Sequence, residues 1–208
     1  MSNFRPAAAR AIISAYSKAG DTVLDFSAGF GGRLLGCLTL NRRYIGIEPA
    51  SAQMLGLRNM VIALKGLTST SVNLIKGCAE DVMSRLDRNS VDIVFSSPPY
   101  FKVERYSSEP TQSYHRYPTY GVWIEQFLYP LLVLSHRSLR PGGLLVINVA
   151  DTVRQPIATD MIAMATRLYR ERRVLKLLMH SRPEQRSLRS RAAFRWEPVF
   201  VLQKSGGR

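Results

Sequence analysis

Thr22-Val23-Leu24-Asp25-Phe26-Ser27-Ala28-Gly29-Phe30-Gly31-Gly32 decides the fold. Its first five residues are β-branched, apolar or aromatic apart from one acid, which predicts a short buried strand. The glycines after it let the backbone turn sharply and approach a ligand closely, and residues 33–40 continue as a helix. Strand, glycine-rich turn and helix in that order open a βαβ unit. The remainder of the chain repeats the alternation. Residues 44–47, 71–75, 91–95 and 144–149 read as further strands, with 174–178 and 199–202 as two closing ones. Helices over 51–65, 80–86, 122–139 and 156–170 lie between them, and Pro141-Gly142-Gly143 reads as a sharp stop before the fifth strand. The expected architecture is α/β: a seven-stranded, mostly parallel, Rossmann-like sheet with helices on both faces.

The 208 residues suit one domain with a proper core and are few for two. The charge balance is unusual: 29 Lys and Arg against 15 Asp and Glu give a formal net charge of +14. A field of that sign attracts polyanions, nucleic acid first among them. Cys37 and Cys78 are the only cysteines and show no ligand spacing, so neither a disulfide framework nor structural zinc is expected and a reducing cytoplasm fits. The stretch from Met1 to Gly20 is too broken for a signal-peptide core. The apolar runs at 131–134 and 144–150 are far shorter than a membrane span, and no membrane partner is expected.

Ligands of open α/β sheets bind at the carboxyl ends of the strands, near the point where strand order reverses. A dinucleotide would be met there by G-x-G-x-x-G, with amides aimed at its pyrophosphate. This chain lacks that spacing and instead ends its first strand on Asp25, which would repel phosphate and suits a ligand bearing an ammonium group. Glu48, just past the second strand, suits ribose hydroxyls. A D-x-x-x-G turn with a downstream acid points to S-adenosylmethionine over NAD, although a plain tight turn with an incidental carboxylate would read the same at this motif alone.

Ser96-Ser97-Pro98-Pro99-Tyr100-Phe101 follows the fourth strand directly. Two adjacent prolines hold the backbone extended and remove two amide donors, which leaves carbonyls of the turn open as acceptors. A polar residue before them and an aromatic after them make a pocket for a flat ring carrying an NH2 group. S-P-P-Y alone also fits a loop stop; after a D-x-x-x-G turn and two further strands it reads as catalytic.

Taken together these motifs resemble the bacterial and phage DNA amino-methyltransferases, over nearly the whole chain. Phe4-Arg5-Pro6 is similar to that family's F-x-P segment, which lies against the methionine part of the cofactor. Residues 25–32 resemble its glycine-rich cofactor loop, Glu48 its acidic ribose-binding residue, and Ser97-Pro98-Pro99-Tyr100 its catalytic signature. Trp196-Glu197-Pro198-Val199-Phe200-Val201 is similar to the closing strand of several members. The resemblance implies a methyltransferase fold, S-adenosyl-L-methionine as cofactor and no metal. Its cofactor contacts would fall on Phe4, Pro6, Asp25, Ser27, Ala28, Gly29, Gly31, Glu48, Cys78, Ala79 and Glu80. Two departures stand out. Cys78 occupies the place where the family often has an acid for the adenine, with Glu80 and Asp81 a turn later. No segment is large enough for a separate target-recognition domain, so residues 1–208 read as one methyltransferase domain whose specificity comes from loops or from a second subunit, a homodimer or another partner.

The implied reaction is methylation of an exocyclic amine on a base in DNA. Ser at the head of the motif resembles the cytosine-N4 members more than the adenine-N6 ones. RNA as substrate, or a non-catalytic nucleic-acid-binding subunit, are the alternatives. Two stretches look built for the polyanion. In residues 102–120, Lys102, Arg105, His115 and Arg116 interleave with Tyr106, Tyr114, Tyr117 and Tyr120, which suits stacking and phosphate contact. In residues 182–195, Arg182, Arg186, Arg189, Arg191 and Arg195 face only Glu184. A third group, Arg167, Arg170, Arg172 and Arg173, is expected to end a helix, where cations favour the helix dipole.

Overall fold

The computed structural model describes residues 4–180 and 194–205. Seven strands form one sheet: β1 (Thr22–Asp25), β2 (Arg43–Glu48), β3 (Val72–Lys76), β4 (Val91–Ser96), β5 (Leu139–Asn148), β6 (Tyr169–His180) and β7 (Phe194–Lys204). Their order is β3-β2-β1-β4-β5-β7-β6. The first five are parallel, while β7 runs antiparallel to both its neighbours. The order reverses at β1, where β2 lies on one side and β4 on the other, so the crevice for a ligand opens above the ends of β1 and β4.

Strand alternation sorts the core into two layers. Leu24, Val94, Leu145 and Ile147 point to one face and join Leu131, Ala158 and Met161. Their chain neighbours Val23, Ile93, Phe95 and Val146 point to the other, with Ile13, Leu34 and Leu57. The second face is covered by α1 (Pro6–Tyr16), α2 (Gly32–Leu38) and α3 (Ser51–Ala63). Toward the first lie α4 (Ala79–Val82) with a 3-10 turn at Met83–Arg85, α5 (Ser113–Arg116), α6 (Tyr120–Trp123), α7 (Tyr129–Ser138) and α8 (Ile157–Ala165). The central strands β1 and β4 are thus buried on both faces, as parallel strands require, while edge strand β3 is only partly covered.

Four features depart from the sequence reading. The expected strands all form, but α1 was not anticipated: Pro6 opens it at its first turn, and Ala9, Ile12 and Ile13 make its buried face. It crosses α2 at Gly36, where a Cβ would stand 3.0 Å from that of Ala9, so the two backbones meet without a side chain between them. Pro141-Gly142-Gly143 is not a stop before β5 but a bulge inside it. The register with β4 jumps from Val91↔Leu139 to Ile93↔Leu144, which loops out the intervening residues. The expected helix over 122–139 is broken by a π-helical turn, Ile124–Leu128, just before Pro130, which has no N–H to donate. The helix expected to reach residue 170 ends at Ala165, and Pro156 is its N-cap rather than part of its first turn. Arg170, Arg172 and Arg173 therefore lie on β6, and the dipole argument for them lapses. Among the described residues, no helix is long and apolar enough to cross a membrane.

Candidate active site

A cavity of about 1360 Å³, including its open mouth, lies above the carboxyl ends of β1, β2 and β4. Its floor is organised by Asp25, which is completely buried. One carboxylate oxygen accepts from Ser27 N (3.2 Å) and Ser96 Oγ (2.8 Å), the other from Tyr44 Oη (2.8 Å) and Arg33 Nε (2.7 Å). Burial of this quality, with an ion pair and three further donors, keeps an interior carboxylate tolerable. Burial and the adjacent Asp25 together push the Tyr44 phenol well above its ordinary range, so it stays a donor. Asp25 does not reach the cavity wall. The expectation that it would meet an ammonium group is corrected: its lone pairs are committed to the protein, and the group it places on the wall is Arg33.

The glycine-rich turn is strapped to β2. Ala28 N donates to Ile47 O (3.0 Å) and Gly29 N to Glu48 Oε2 (2.9 Å). Gly29 and Gly31 both take positive φ, 53° and 79°, which favours glycine. Ser27, Ala28 and Gly29 line the cavity as expected. Gly31 does not; a Cβ there would lie 3.0 Å from Met60 Cε, so the residue lets α3 pack against the turn. Glu48 lines the wall, anchored by Gly29 N and by Ala50 N (2.9 Å), and burial raises its pKa. Phe4, Cys78, Ala79 and Glu80 also line it, whereas Pro6 does not and serves to start α1.

The S-P-P-Y turn closes the opposite wall. Ser97 Oγ donates to Asn148 O (2.9 Å), so its proton points away and its lone pairs are available. Of the two proline carbonyls, that of Pro99 accepts from Phe101 N (2.9 Å), while that of Pro98 accepts nothing among the described residues; Ser97, Pro99 and Tyr100 line the cavity, whereas buried Pro98 does not. Tyr100 Oη accepts from Ala150 N (3.0 Å), which pins the ring at the wall. Phe101 does not line the pocket: at φ 43° it turns into the core, 5.8 Å from the rings of Tyr120 and Trp123.

The segment after this turn corrects the nucleic-acid reading most strongly. Much of it folds back over the cavity. Glu109 accepts from Ser51 N (2.8 Å) at the start of α3, Gln53 Nε2 donates to Tyr106 O (3.2 Å), and Cys78 Sγ donates to Thr111 O (3.4 Å). Arg116 is paired with Glu80 and with Asp81 (2.8 Å), and both carboxylates hold its pKa above the ordinary value. Tyr114 donates to Ser107 O (2.8 Å), Tyr117 to Glu80 (2.9 Å) and Tyr120 to Asp160 (2.6 Å). These groups are spoken for. Lys102 and Arg105 remain exposed, resting over the rings of Phe101 and Tyr114. Arg182, Arg186, Arg189 and Arg191 lie outside the described residues.

Two residues on the wall escaped sequence reasoning. Glu104 accepts from Tyr100 N (3.3 Å) and is hydrogen-bonded to Tyr106; burial raises its pKa, and Glu197 nearby adds to the rise. It lies in a loop without periodicity, so nothing marked it. Arg33 carried a faint signal: a cation in the first turn of α2 opposes the helix dipole and implies a fixed partner.

No family model and no curated protein matches the chain. Solved structures do. A methyltransferase from Pyrococcus furiosus superposes with TM-score 0.62 at 15% identity, over 96% of this chain and 83% of that one. A tRNA (m1A58) methyltransferase from Aquifex aeolicus gives 0.65 at 13%, over 98% and 70%. A putative rRNA-methylase from Clostridium thermocellum gives 0.60 at 15%, over 98% and 99%. At such identities the likeness shows the fold alone: a Rossmann-like α/β architecture shared with solved methyltransferases.

Proposed function

We propose that the chain is an S-adenosylmethionine-dependent methyltransferase acting on the exocyclic amine of a nucleic-acid base, in DNA with cytosine N4 ahead of adenine N6. The fold supports the class, since solved structures described as S-adenosylmethionine-dependent methyltransferases share it. The donor set of the cavity fits the cofactor: Glu48 offers acceptors for ribose hydroxyls, the turn at Ala28-Gly29 offers close backbone, and Cys78-Ala79 walls the far side. When bound, the cofactor supplies a methyl group on a positively charged sulfur.

The observation that carries the reading is the open Ser97 hydroxyl oxygen on the cavity wall, followed directly by the Pro98 carbonyl, which has no donor among the described residues. An exocyclic amine is a poor nucleophile because its lone pair is delocalised into the ring. Ser97 Oγ, its own proton given to Asn148 O, and Pro98 O, without another donor among the described residues, can hold the two amine protons. The nitrogen then pyramidalises and directs its lone pair outward. This is positional and electrostatic catalysis, with no covalent intermediate. The Tyr100 ring, fixed through Ala150 N, offers the base a stacking surface. In a duplex the base is first flipped out, at a cost of a few kcal/mol. The surplus of Lys and Arg supports a polyanionic substrate.

Structured RNA is the second reading, favoured by the tRNA and rRNA enzymes among the structural neighbours. Reaction with duplex DNA, single-stranded DNA and total RNA, then digestion to nucleosides and mass spectrometry, separates the two. N4-methyldeoxycytidine is the expected product. Methylated ribonucleosides alone would move the substrate to RNA, and no methylated nucleoside from any of the three would overturn the proposal.

A further inference from the structure

We infer that Arg33 is the anion-binding group of this cavity and holds the carboxylate at the amino-acid end of the cofactor; this deepens the proposed function and rests on it. The guanidinium carries five N–H groups. Nε donates to Asp25 and Nη2 to Ser27 O. Nη1 has no hydrogen bond among the described residues, yet it is not one of their sealed, unpartnered atoms. The side chain is 7% exposed, and that remainder opens into the cavity it lines.

Its surroundings fix it there. The guanidinium carbon lies 5.6 Å from the ring centre of Phe4 and 5.9 Å from that of Phe95. Those two rings meet edge to face at 5.3 Å. Asp25 keeps the group charged, outweighing in direction the burial that would lower its pKa. A planar cation held by an ion pair and two aromatic faces, with one nitrogen toward a ligand space, is preorganised for a carboxylate.

The position agrees with the amino-acid end rather than the nucleoside end. Beside Cys78 the cation is Arg116, which is paired with Glu80 and Asp81 and is not part of the wall. Arg33 sits beside Phe4 and the turn at Ser27, above β1 and β4. Among the described residues, the other cation on the wall is Arg5. It is exposed and screened by solvent, so it contributes little fixed binding energy.

Isothermal titration with two probes tests this. S-adenosylhomocysteine carries the amino-acid end; methylthioadenosine has the same nucleoside and a thioether but lacks it. Loss of a charge-assisted bond predicts that Arg33→Gln weakens S-adenosylhomocysteine roughly 10- to 100-fold. Methylthioadenosine affinity should stay within about threefold, because nothing it contacts has changed. Arg5→Gln should leave both within about threefold. Arg33→Gln strands the buried Asp25 carboxylate; should it fail to fold, the double variant Asp25→Asn with Arg33→Gln removes both charges and is read the same way. An equal loss for the two probes would mean that Arg33 only supports the floor, and overturns the inference while leaving the cofactor reading intact. Unchanged S-adenosylhomocysteine affinity, or a selective loss in Arg5→Gln instead, overturns it too. Binding of neither probe by the wild type overturns the cofactor reading and this inference with it.

Discussion

The two walls of the cavity handle their polar groups in opposite ways. At the ends of β1 and β2, Asp25 has four donors and is consumed in holding the floor, while Glu48 is anchored by two backbone amides and keeps one acceptor site on each oxygen toward the cavity. At the end of β4, Ser97 gives away its proton and Pro98 offers a carbonyl, and neither acceptor is used up. The first wall is built for rigidity and would be costly to disturb. The second holds acceptors that the described residues leave open. The difference separates residues that shape the site from residues proposed to act in it, although both carry motifs of equal prominence in the sequence.

Breaking the first wall should give the largest effect. Asp25→Ala removes the acceptor of four hydrogen bonds and leaves the Arg33 charge buried without its partner. Stability should fall by roughly 3–5 kcal/mol, as for other half-removed buried pairs. Urea denaturation measures it, and a loss below about 1 kcal/mol would mean that the floor is not organised by this carboxylate.

Smaller changes should follow from Glu104, which sits between the walls. Burial raises its pKa above the ordinary 4.5, so the folded state binds its proton more tightly than the unfolded chain. The contribution to stability is therefore fully favourable below about 4.5 and declines as pH rises from there through the folded value. Glu104→Gln should flatten the fall of stability with pH in that window. Identical slopes for wild type and variant, from denaturation at several pH values, would contradict the assignment. The smallest effect concerns the outer rim. Lys102 and Arg105 are exposed, and replacing both with Gln should leave stability within about 0.5 kcal/mol. If each meets one phosphate, the slope of log affinity for duplex DNA against log salt should become shallower by about 1.8. An unchanged slope removes them from the substrate path.

Much of this was legible beforehand, for reasons that also explain the failures. The strands at 22–26, 44–47 and 91–95 stand out because parallel strands are buried on both faces and read as short apolar runs. The D-x-x-x-G turn and S-P-P-Y stand out because they follow such runs directly. What stayed hidden depended on partners far along the chain. Asp25 looked like a ligand group because Tyr44 and Ser96, its donors, are 19 and 71 residues away. Arg116 and Tyr117 looked like a nucleic-acid surface because their partner Glu80 lies on another element. Helix α1 was missed because its buried face is only Ala9, Ile12 and Ile13, too few apolar residues to show a period. Charge and aromatic composition reported which residue types were present, and only packing shows whether they are already engaged.

The proposed mechanism has the open acceptors at the S-P-P-Y turn act on the amine. Single-turnover methylation by wild type and Ser97→Ala, alongside titration of S-adenosylhomocysteine, tests it most directly. The rate should fall roughly 10- to 1000-fold, as on losing one positioned group in a preorganised site, while cofactor affinity changes by less than about threefold. Equal rates, or a fall in rate matched by the same fall in cofactor affinity, would contradict the account.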